Sequence, residues 1–365
     1  MASFDEVLKD CTKLGTKIPT SEYLENGKYP IIDQGQNDIA GYYDSDDGLF
    51  EDVPTIVFGD HTRVVKYVDK PCFLGADGVK LLCPVDKDIN CKYLFYQLSC
   101  ADIPNTGYNR HFKWVKALDF KIPSSDEQNH VVEVLDKVTE LISLRKQQLA
   151  KLDELVKARF VEMFGDTKLN PNNFPCCSLS EYIVFLTSGS RGWSQYFTDS
   201  GEYFITIKNV KNCKITLQDV QYVTPPDNAE AKRTRVQEND LLISITADLG
   251  RTGIVTKKIA EHGAYINQHL TCIRLKQDKL NPLYVAYYME SDAGKEQFVA
   301  KNQSAVKAGL NFNAINSLKL MVPPLALQNQ FAAFVERVNQ QKQTVQQSLE
   351  KLELMKKALM QEYFG

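Results

Sequence analysis

The chain has 365 residues, of which 43% are hydrophobic and 24% are charged. This composition excludes a disordered, collagen-like or disulfide-scaffold protein, and the length predicts two or more domains. The 43 basic and 46 acidic residues leave a net charge of −3, which excludes a protein that coats nucleic acid indiscriminately but allows a local basic patch. The nine cysteines are scattered without a C-x-x-C spacing, which disfavours a zinc site or a disulfide framework and is typical of a protein in the reducing cytoplasm. No signal peptide or membrane span is expected.

Residues 1–121 predict a first globule of strands, because β-branched and aromatic runs such as Thr55–Phe58 are separated by Gly, Pro, Asn and Asp. Three of its predicted loops concentrate polar side chains. The candidate DNA-contacting residues in these loops are Gln34, Gln36 and Asn37; Asp60, His61, Thr62 and Arg63; and Tyr108, Asn109, Arg110, His111 and Lys113. Arg and Lys match guanine edges, Asn and Gln match adenine, and Asp accepts from cytosine. A hydrated loop or a protein interface remains the alternative.

Residues 122–165 predict a long helix that is repeated at 322–365 without a gap, at an offset of 200 with thirteen identities. Apolar positions in each copy alternate in steps of three and four, the heptad seam of a coiled coil. Pro123 followed by Ser124-x-x-Glu127 predicts a helix start with a capping box. Two core helices of one large domain are the alternative, but five or more turns with a narrow seam and polar flanks favour a coiled coil. The equal length of the two copies favours pairing with each other.

Residues 166–321 predict a second globule rich in strands. Its candidate DNA-contacting residues are Ser188, Arg191 and Trp193; Lys232, Arg233 and Arg235; Thr246, Asp248 and Arg251; Gln268 and His269; and Lys301, Gln303 and Lys307. Lys232, Arg233 and Arg235 suit phosphate contacts, which position a duplex without reading its sequence. A solvated loop is the alternative.

The globules form a weaker repeat than the helices. At an offset of 174, Gly15, Tyr29 and Ile31 fall on Gly189, Tyr203 and Ile205. The first globule has 14 basic and 19 acidic residues, whereas the second has 18 and 15. Divergence of charge on a repeated frame indicates two separate recognition heads, although drift in loops would give the same pattern. The order of domains is therefore globule, helix, globule, helix.

Catalytic motifs are absent from the sequence. It contains no Gly-x-x-x-x-Gly-Lys-Ser/Thr phosphate loop, no Asn/Asp-Pro-Pro-Tyr methyltransferase motif, no His-Glu-x-x-His and no Gly-x-Ser-x-Gly. A catalytic role for the chain itself is therefore disfavoured. A coiled-coil adaptor with two protein-binding heads remains a competing hypothesis.

The sequence resembles the specificity (S) subunits of Type I restriction-modification systems over essentially its whole length. The most specific segments are Lys121-Ile-Pro and Met321-Val-Pro-Pro-Leu, each followed by Gln-Asn and a long helix. Further segments that resemble the family are Tyr29–Gln36, Val57–Arg63, Arg235–Arg251 and Val306–Phe312.

This resemblance implies an α+β protein with two mixed α/β target recognition domains, 1–121 and 166–321, and two helical spacers, 122–165 and 322–365. Each domain would read one half of a split double-stranded DNA sequence. The antiparallel helices would dock two methyltransferase subunits, and the full complex would add two restriction/translocase subunits. The chain itself would be non-catalytic and bind no cofactor or metal, while its partners would carry S-adenosylmethionine, ATP and Mg. A self-contained restriction-methylation enzyme is a further alternative, which the missing catalytic motifs disfavour.

Overall fold

The computed structural model describes residues 1–75, 77–302 and 309–365. It divides into two compact units. Unit 1 contains residues 1–148 and 345–365, and unit 2 contains residues 149–344. Each unit combines one globule with parts of both long helices. The division of the chain into four consecutive domains therefore stays a prediction.

Unit 1 is built on two small sheets. Its strands are β1 (Ala2–Ser3), β2 (Leu8–Asp10), β3 (Tyr29–Ile32), β4 (Gly41–Tyr43), β5 (Thr55–Gly59), β6 (Val65–Val68), β7 (Phe73–Leu74), β8 (Val79–Pro84) and β9 (Asp119–Phe120). Its helices are α1 (Phe4–Val7), α2 (Cys91–Cys100), α3 (Phe112–Val115), the first part of α4 (Ser125–Phe164) and the last part of α10 (Leu325–Phe364). One sheet has the strand order β2-β8-β5-β6 and the other β4-β3-β7, while β1 pairs with β9.

Unit 2 follows the same plan with extra strands. Its strands are β10 (Cys176–Ser178), β11 (Ile183–Ser188), β12 (Phe197–Thr198), β13 (Glu202–Ile205), β14 (Val210–Lys211), β15 (Lys214–Ile215), β16 (Gln221–Val223), β17 (Leu241–Ser244), β18 (Thr252–Ile254), β19 (Ala264–Ile266), β20 (Leu270–Leu275) and β21 (Lys319–Met321). Its helices are the last part of α4, α5 (Ala229–Thr234), α6 (Lys257–His262), α7 (Pro282–Glu290), α8 (Asp292–Lys301), α9 (Phe312–Asn316) and the first part of α10.

The strand orders show that the globules repeat as well as the helices. In unit 2 the order β11-β20-β17-β18 reproduces β2-β8-β5-β6, and β16-β13-β19 reproduces β4-β3-β7. The parallel pairing of β3 with β7 recurs between β13 and β19. The pairing of β1 with β9 recurs between β10 and β21. The predicted α+β class, with two mixed domains and an internal repeat, is confirmed.

The long helices α4 and α10 have 40 residues each. In unit 2, Asp153 pairs with Lys342, and Phe160 contacts Phe331 with ring centroids 5.3 Å apart. Residue numbers therefore rise along α4 as they fall along α10, so the two helix segments run antiparallel there. In unit 1, Arg145 Nε donates to Ser348 Oγ at 3.3 Å and joins the two helices. Many of the predicted seam positions are buried: Val131, Leu135, Val138, Ile142 and Val156 in α4, and Phe331, Val335, Val338, Val345 and Leu349 in α10. The predicted coiled coil is confirmed.

An amide network centred on the buried Gln128 joins α4 to the first globule. The Asn90 N–H donates to Gln128 Oε1 at 2.9 Å, and Asn90 Nδ2 donates to Asn129 Oδ1 at 2.8 Å. Gln128 Nε2 donates to the Pro123 carbonyl at 2.9 Å. Asn90 also caps α2 by accepting from the backbone at the start of that helix. The network thus connects the start of α4 to the start of α2.

The same network recurs in unit 2. The Asn281 N–H donates to Gln328 Oε1 at 2.8 Å, Asn281 Nδ2 donates to Asn329 Oδ1 at 2.9 Å, and Gln328 Nε2 donates to the Pro323 carbonyl at 2.7 Å. The Pro, Gln and Asn identities between the two helical repeats therefore have a structural cause. They preserve one joint between helix and globule in both units.

Candidate nucleic-acid interface

Three loops of unit 1 that the sequence singled out separately lie together in the structure. We call residues 33–37, 59–63 and 105–111 the first loop cluster. Gln34 Oε1 accepts from the His61 N–H at 3.2 Å, and Thr62 Oγ1 donates to the Gln34 carbonyl at 2.6 Å. Gln34 Nε2 also donates to the Asp77 carbonyl at 3.1 Å. Gly78 has φ +87°, and a Cβ there would lie 2.6 Å from Gln34 Nε2, so this approach requires glycine.

Asp60 and His111 occupy the interior of the first loop cluster. Their relative exposures are 3% and 0%. The Asp60 carboxylate accepts from the Phe112 N–H at 2.7 Å, and its carbonyl accepts from the His111 N–H at 2.8 Å. The expectation that these two side chains face DNA is revised, because burial and hydrogen bonding assign them to support. They tie the loop after β5 to the start of α3.

The solvent-facing candidates of this cluster surround that support. Exposed side chains belong to Gln36, Asn37, Thr62, Tyr108, Asn109, Arg110 and Lys113. Arg63 turns inward, since it has φ +62° and its Nη1 donates to the Ile103 carbonyl at 2.9 Å. The buried Lys66 Nζ donates to the Asn37 carbonyl and pairs with Asp33 at 3.2 Å. A buried cation therefore fixes the loop that carries Gln36 and Asn37.

Unit 2 brings together residues 187–191, 245–251 and 267–269, which we call the second loop cluster. Arg233 holds the first of these loops, since its Nη1 donates to the Ser188 carbonyl at 2.9 Å and its Nη2 to Ser190 Oγ at 3.1 Å. Gly189 packs so closely against the backbone of Ile266 and Asn267 that a Cβ at Gly189 would lie 2.1 Å from the Asn267 carbonyl oxygen. The Arg233 guanidinium is thus a positioning group in this structure, whereas the sequence suggested a phosphate contact.

The remaining parts of the second loop cluster are linked by polar side chains. His269 Nδ1 lies 2.6 Å from Thr246 Oγ1, and Gln268 Nε2 lies 2.9 Å from His269 Nε2. Asp248 forms an ion pair with Arg251. Arg191 is exposed on the first loop. The cluster therefore presents an exposed guanidinium beside a chain of hydrogen-bonded side chains.

Other candidates of unit 2 lie elsewhere. Trp193 is 4% exposed and packs on Tyr265 with ring centroids 4.9 Å apart, so it belongs to the core rather than the surface. Burial raises the pKa of Tyr265. The remaining candidates are Lys232, which pairs with Asp227 at 2.8 Å; Arg235, which pairs with Glu202 at 3.3 Å; Lys301, which donates to Ser317 Oγ at 2.8 Å; and Gln303 and Lys307, which fall outside the described residues.

Lys208 is a further candidate for a phosphate contact that local sequence patterns did not indicate. It is exposed and follows β13, as Gln34 follows β3. The signal that could have found it was the offset of 174 between the globules, which places Gln34 on Lys208.

Over residues 1–75, 77–302 and 309–365, no group of three or more His, Cys, Asp or Glu side chains is arranged to hold a metal ion. In that same part of the chain, no helix combines the length and apolar content needed to cross a bilayer.

Comparison with known proteins identifies the class of this molecule. Two copies of one fold, each with a cluster of polar loops and joined to paired long helices, define a protein with two similar binding domains. The sequence matches the family described as "Type I restriction modification DNA specificity domain" over residues 5–154 and 194–354. The chain therefore belongs to this family, whose members are the non-catalytic DNA-recognition subunits of type I restriction-modification systems.

Individual relatives agree with the family match. The chain is 23% identical to a type I restriction enzyme specificity subunit of Methanocaldococcus jannaschii, over 95% of this chain and 86% of the relative. A specificity subunit of Escherichia coli is 23% identical over 36% of this chain and 37% of the relative. The crystal structure of the S subunit from M. genitalium matches the fold with a TM-score of 0.63 at 15% identity, covering 100% of this chain and 95% of that one.

A second structure, from a study of assembly and conformational transition of the type I system, has a TM-score of 0.55 at 15% identity. It covers 98% of this chain and 94% of that chain. Both structural likenesses concern the fold.

Proposed function

We propose that this specificity subunit recognises a bipartite DNA target and that each unit reads one half of it. The observation that carries the proposal is the repeat itself. The same strand order supports a polar loop cluster in unit 1 and another in unit 2. Two copies of a binding domain in one chain are suited to two half-sites. The exposed Arg, Asn, Gln and Lys side chains are the types that pair with base edges and phosphates.

The two clusters differ in the groups they expose, which supports recognition of two different half-sites. The first loop cluster offers Asn109 and Arg110 beside an exposed Tyr108. The second offers Arg191 and the His269–Thr246 pair. Both clusters expose an arginine, which suits guanine, but the other polar groups beside it differ, so the same frame would select unlike sequences.

We further propose that the helices dock two methyltransferase subunits and that two restriction subunits join the complex. Large apolar side chains exposed on the helices support a docking role: Leu141, Leu144, Leu354 and Met355 in unit 1, and Leu155 and Val161 in unit 2. Exposed apolar side chains that recur along a helix provide a surface for partner helices. S-adenosylmethionine, ATP and Mg would be bound by those partners.

Co-expression with a type I methyltransferase subunit tests the proposal. Light scattering of the purified complex should give two methyltransferase chains for each specificity chain. Sequencing of methylated DNA should then reveal two defined segments separated by bases of any identity. A single continuous target, or a specificity chain that stays monomeric beside the methyltransferase, would overturn the proposal.

A further inference from the structure

A stacked pair of aromatic rings stands at the surface of the first loop cluster. We propose that Tyr108, backed by His61, stacks on a base that becomes unstacked in the half-site read by unit 1. This inference rests on the proposed function, because it assigns a specific contact within that half-site.

The geometry of the pair is that of a preformed platform. The rings of His61 and Tyr108 have centroids 4.7 Å apart and planes inclined by 9°. Tyr108 is 87% exposed, an unusual position for a tyrosine, which generally packs part of its ring. His61 covers one face of the Tyr108 ring, and the other face remains available to a further ring.

Hydrogen bonds through Gln34 hold the His61 side of the stacked ring pair. The His61 N–H donates to Gln34, whose own amide is fixed on the Asp77 carbonyl. His61 Nδ1 is buried and has no hydrogen-bond partner within the described residues. The His61 backbone is therefore held by a hydrogen bond, whereas its imidazole ring is held by stacking on Tyr108 and by packing. A rigid second ring lowers the entropy cost of presenting Tyr108.

The neighbours of Tyr108 place the platform among base-reading groups. Asn109 and Arg110 follow it directly and are exposed. Asn109 Nδ2 donates to the Thr106 carbonyl, which shapes the loop that carries all three residues. A protein that brings Asn109 and Arg110 to base edges would bring the ring of the preceding Tyr108 to the same depth.

A base is the ligand that this surface fits best. A neutral, flat ring with one open face gains most from another π system, and base–aromatic stacking requires no particular base identity. In an intact duplex the base faces are covered, so the contact requires an unstacked step. Enzymes that modify a base extrude it from the stack, which creates such a step. A thymine methyl group is the main competing contact.

Three substitutions separate these contacts in the complex with methyltransferase subunits. Tyr108→Phe keeps the ring, Tyr108→Leu keeps apolar bulk without a π face, and Tyr108→Ala removes both. Binding to the mapped target should be unchanged for Phe, whereas Leu and Ala should each weaken it by about 5- to 150-fold, the range for loss of one base–aromatic stack. Leu14→Ala, at a residue of the same unit that is 68% exposed outside the cluster, should bind like the wild type.

A second measurement identifies the unstacked step. Single mismatches are placed at each position of the half-site assigned to unit 1, since an unpaired base is easier to extrude. One position should tighten binding by the wild type and by Tyr108→Phe but not by Tyr108→Ala. Thermal unfolding of each variant checks that the fold is retained.

The outcomes are distinct. Equal binding by the Tyr108→Leu variant and the wild type would mean that Tyr108 contacts a methyl group. Loss of binding by the Tyr108→Phe variant would mean that the tyrosine hydroxyl makes the contact. Either result would overturn the inference. Unchanged binding by all three variants would also overturn it. A wild-type complex without a bipartite target would overturn the proposed function first, and the inference with it.

Discussion

The two loop clusters are held by different chemistry on the same strand order. In unit 1, a buried carboxylate and a neutral amide connect the loops, through Asp60 to Phe112 and Gln34 to His61. In unit 2, the Arg233 guanidinium performs this task, with Ser188 and Ser190 as acceptors. The sheets are therefore the shared frame, and the groups that fix the loops have diverged together with the loops they fix.

The joints between helix and globule show the opposite behaviour. The amide network of Asn90, Gln128 and Asn129 is repeated atom for atom by Asn281, Gln328 and Asn329. The joint has therefore kept its residues in both repeats, whereas the groups that hold the loops have not. The joint positions a whole globule and the loop contacts position single loops, so the two have separate roles.

The largest expected effect is at the helix contact of unit 2. Phe331 is fully buried against Phe160, Phe164 and Tyr287. Phe331→Ala should lower the free energy of unfolding by about 3–5 kcal/mol, the usual cost of such a truncation in a core. Its repeat counterpart Val131→Ala removes less buried surface and should cost less. Urea unfolding of both variants measures the two losses of unfolding free energy. Equal losses would contradict the expectation that the aromatic contact of Phe331 stabilises the protein more than the contact of Val131.

The next effect concerns the repeated joint. Gln128→Ala and Gln328→Ala each leave an Asn N–H and a Pro carbonyl without a partner, so each should destabilise its unit by about 1–3 kcal/mol. The two losses should be similar because the networks are alike. Gln128→Glu keeps the shape and the acceptor but removes the donor to Pro123 and buries a carboxylate, so it should destabilise unit 1 at least as much as alanine does. Strongly unequal losses from the two alanine variants would contradict an equivalent joint.

The smallest effect concerns phosphate contacts in unit 2. Lys208 and Lys232 are exposed, and each phosphate contact should contribute about one unit to the slope of log binding constant against log salt. Lys208→Ala and Lys232→Ala should each flatten that slope without changing the sequence that is methylated, whereas arginine at either position should preserve it. A changed target sequence would mean that the lysine reads bases.

Local sequence patterns predicted the parts of the molecule that depend on local rules. The heptad spacing placed the seam residues Leu135 and Val335, both of which are fully buried. Strand runs and polar loops were also located correctly. Side-chain direction at the loops was not predictable, because it depends on how separate loops meet. Asp60, His111 and Trp193 look like surface residues in sequence but are buried, and Arg233 turns toward Ser188.

The central claim is that each unit reads one half of the DNA target. The most direct test is methylation of a randomised DNA library by the methyltransferase complex carrying Arg110→Ala in the first loop cluster or Arg191→Ala in the second, followed by sequencing. Each substitution should relax one position, at a cost of about 1–3 kcal/mol if a bidentate base contact is lost, and the two relaxed positions should lie in different halves. Relaxation of the same half by both variants, or uniform weakening of both halves by each, would contradict the account.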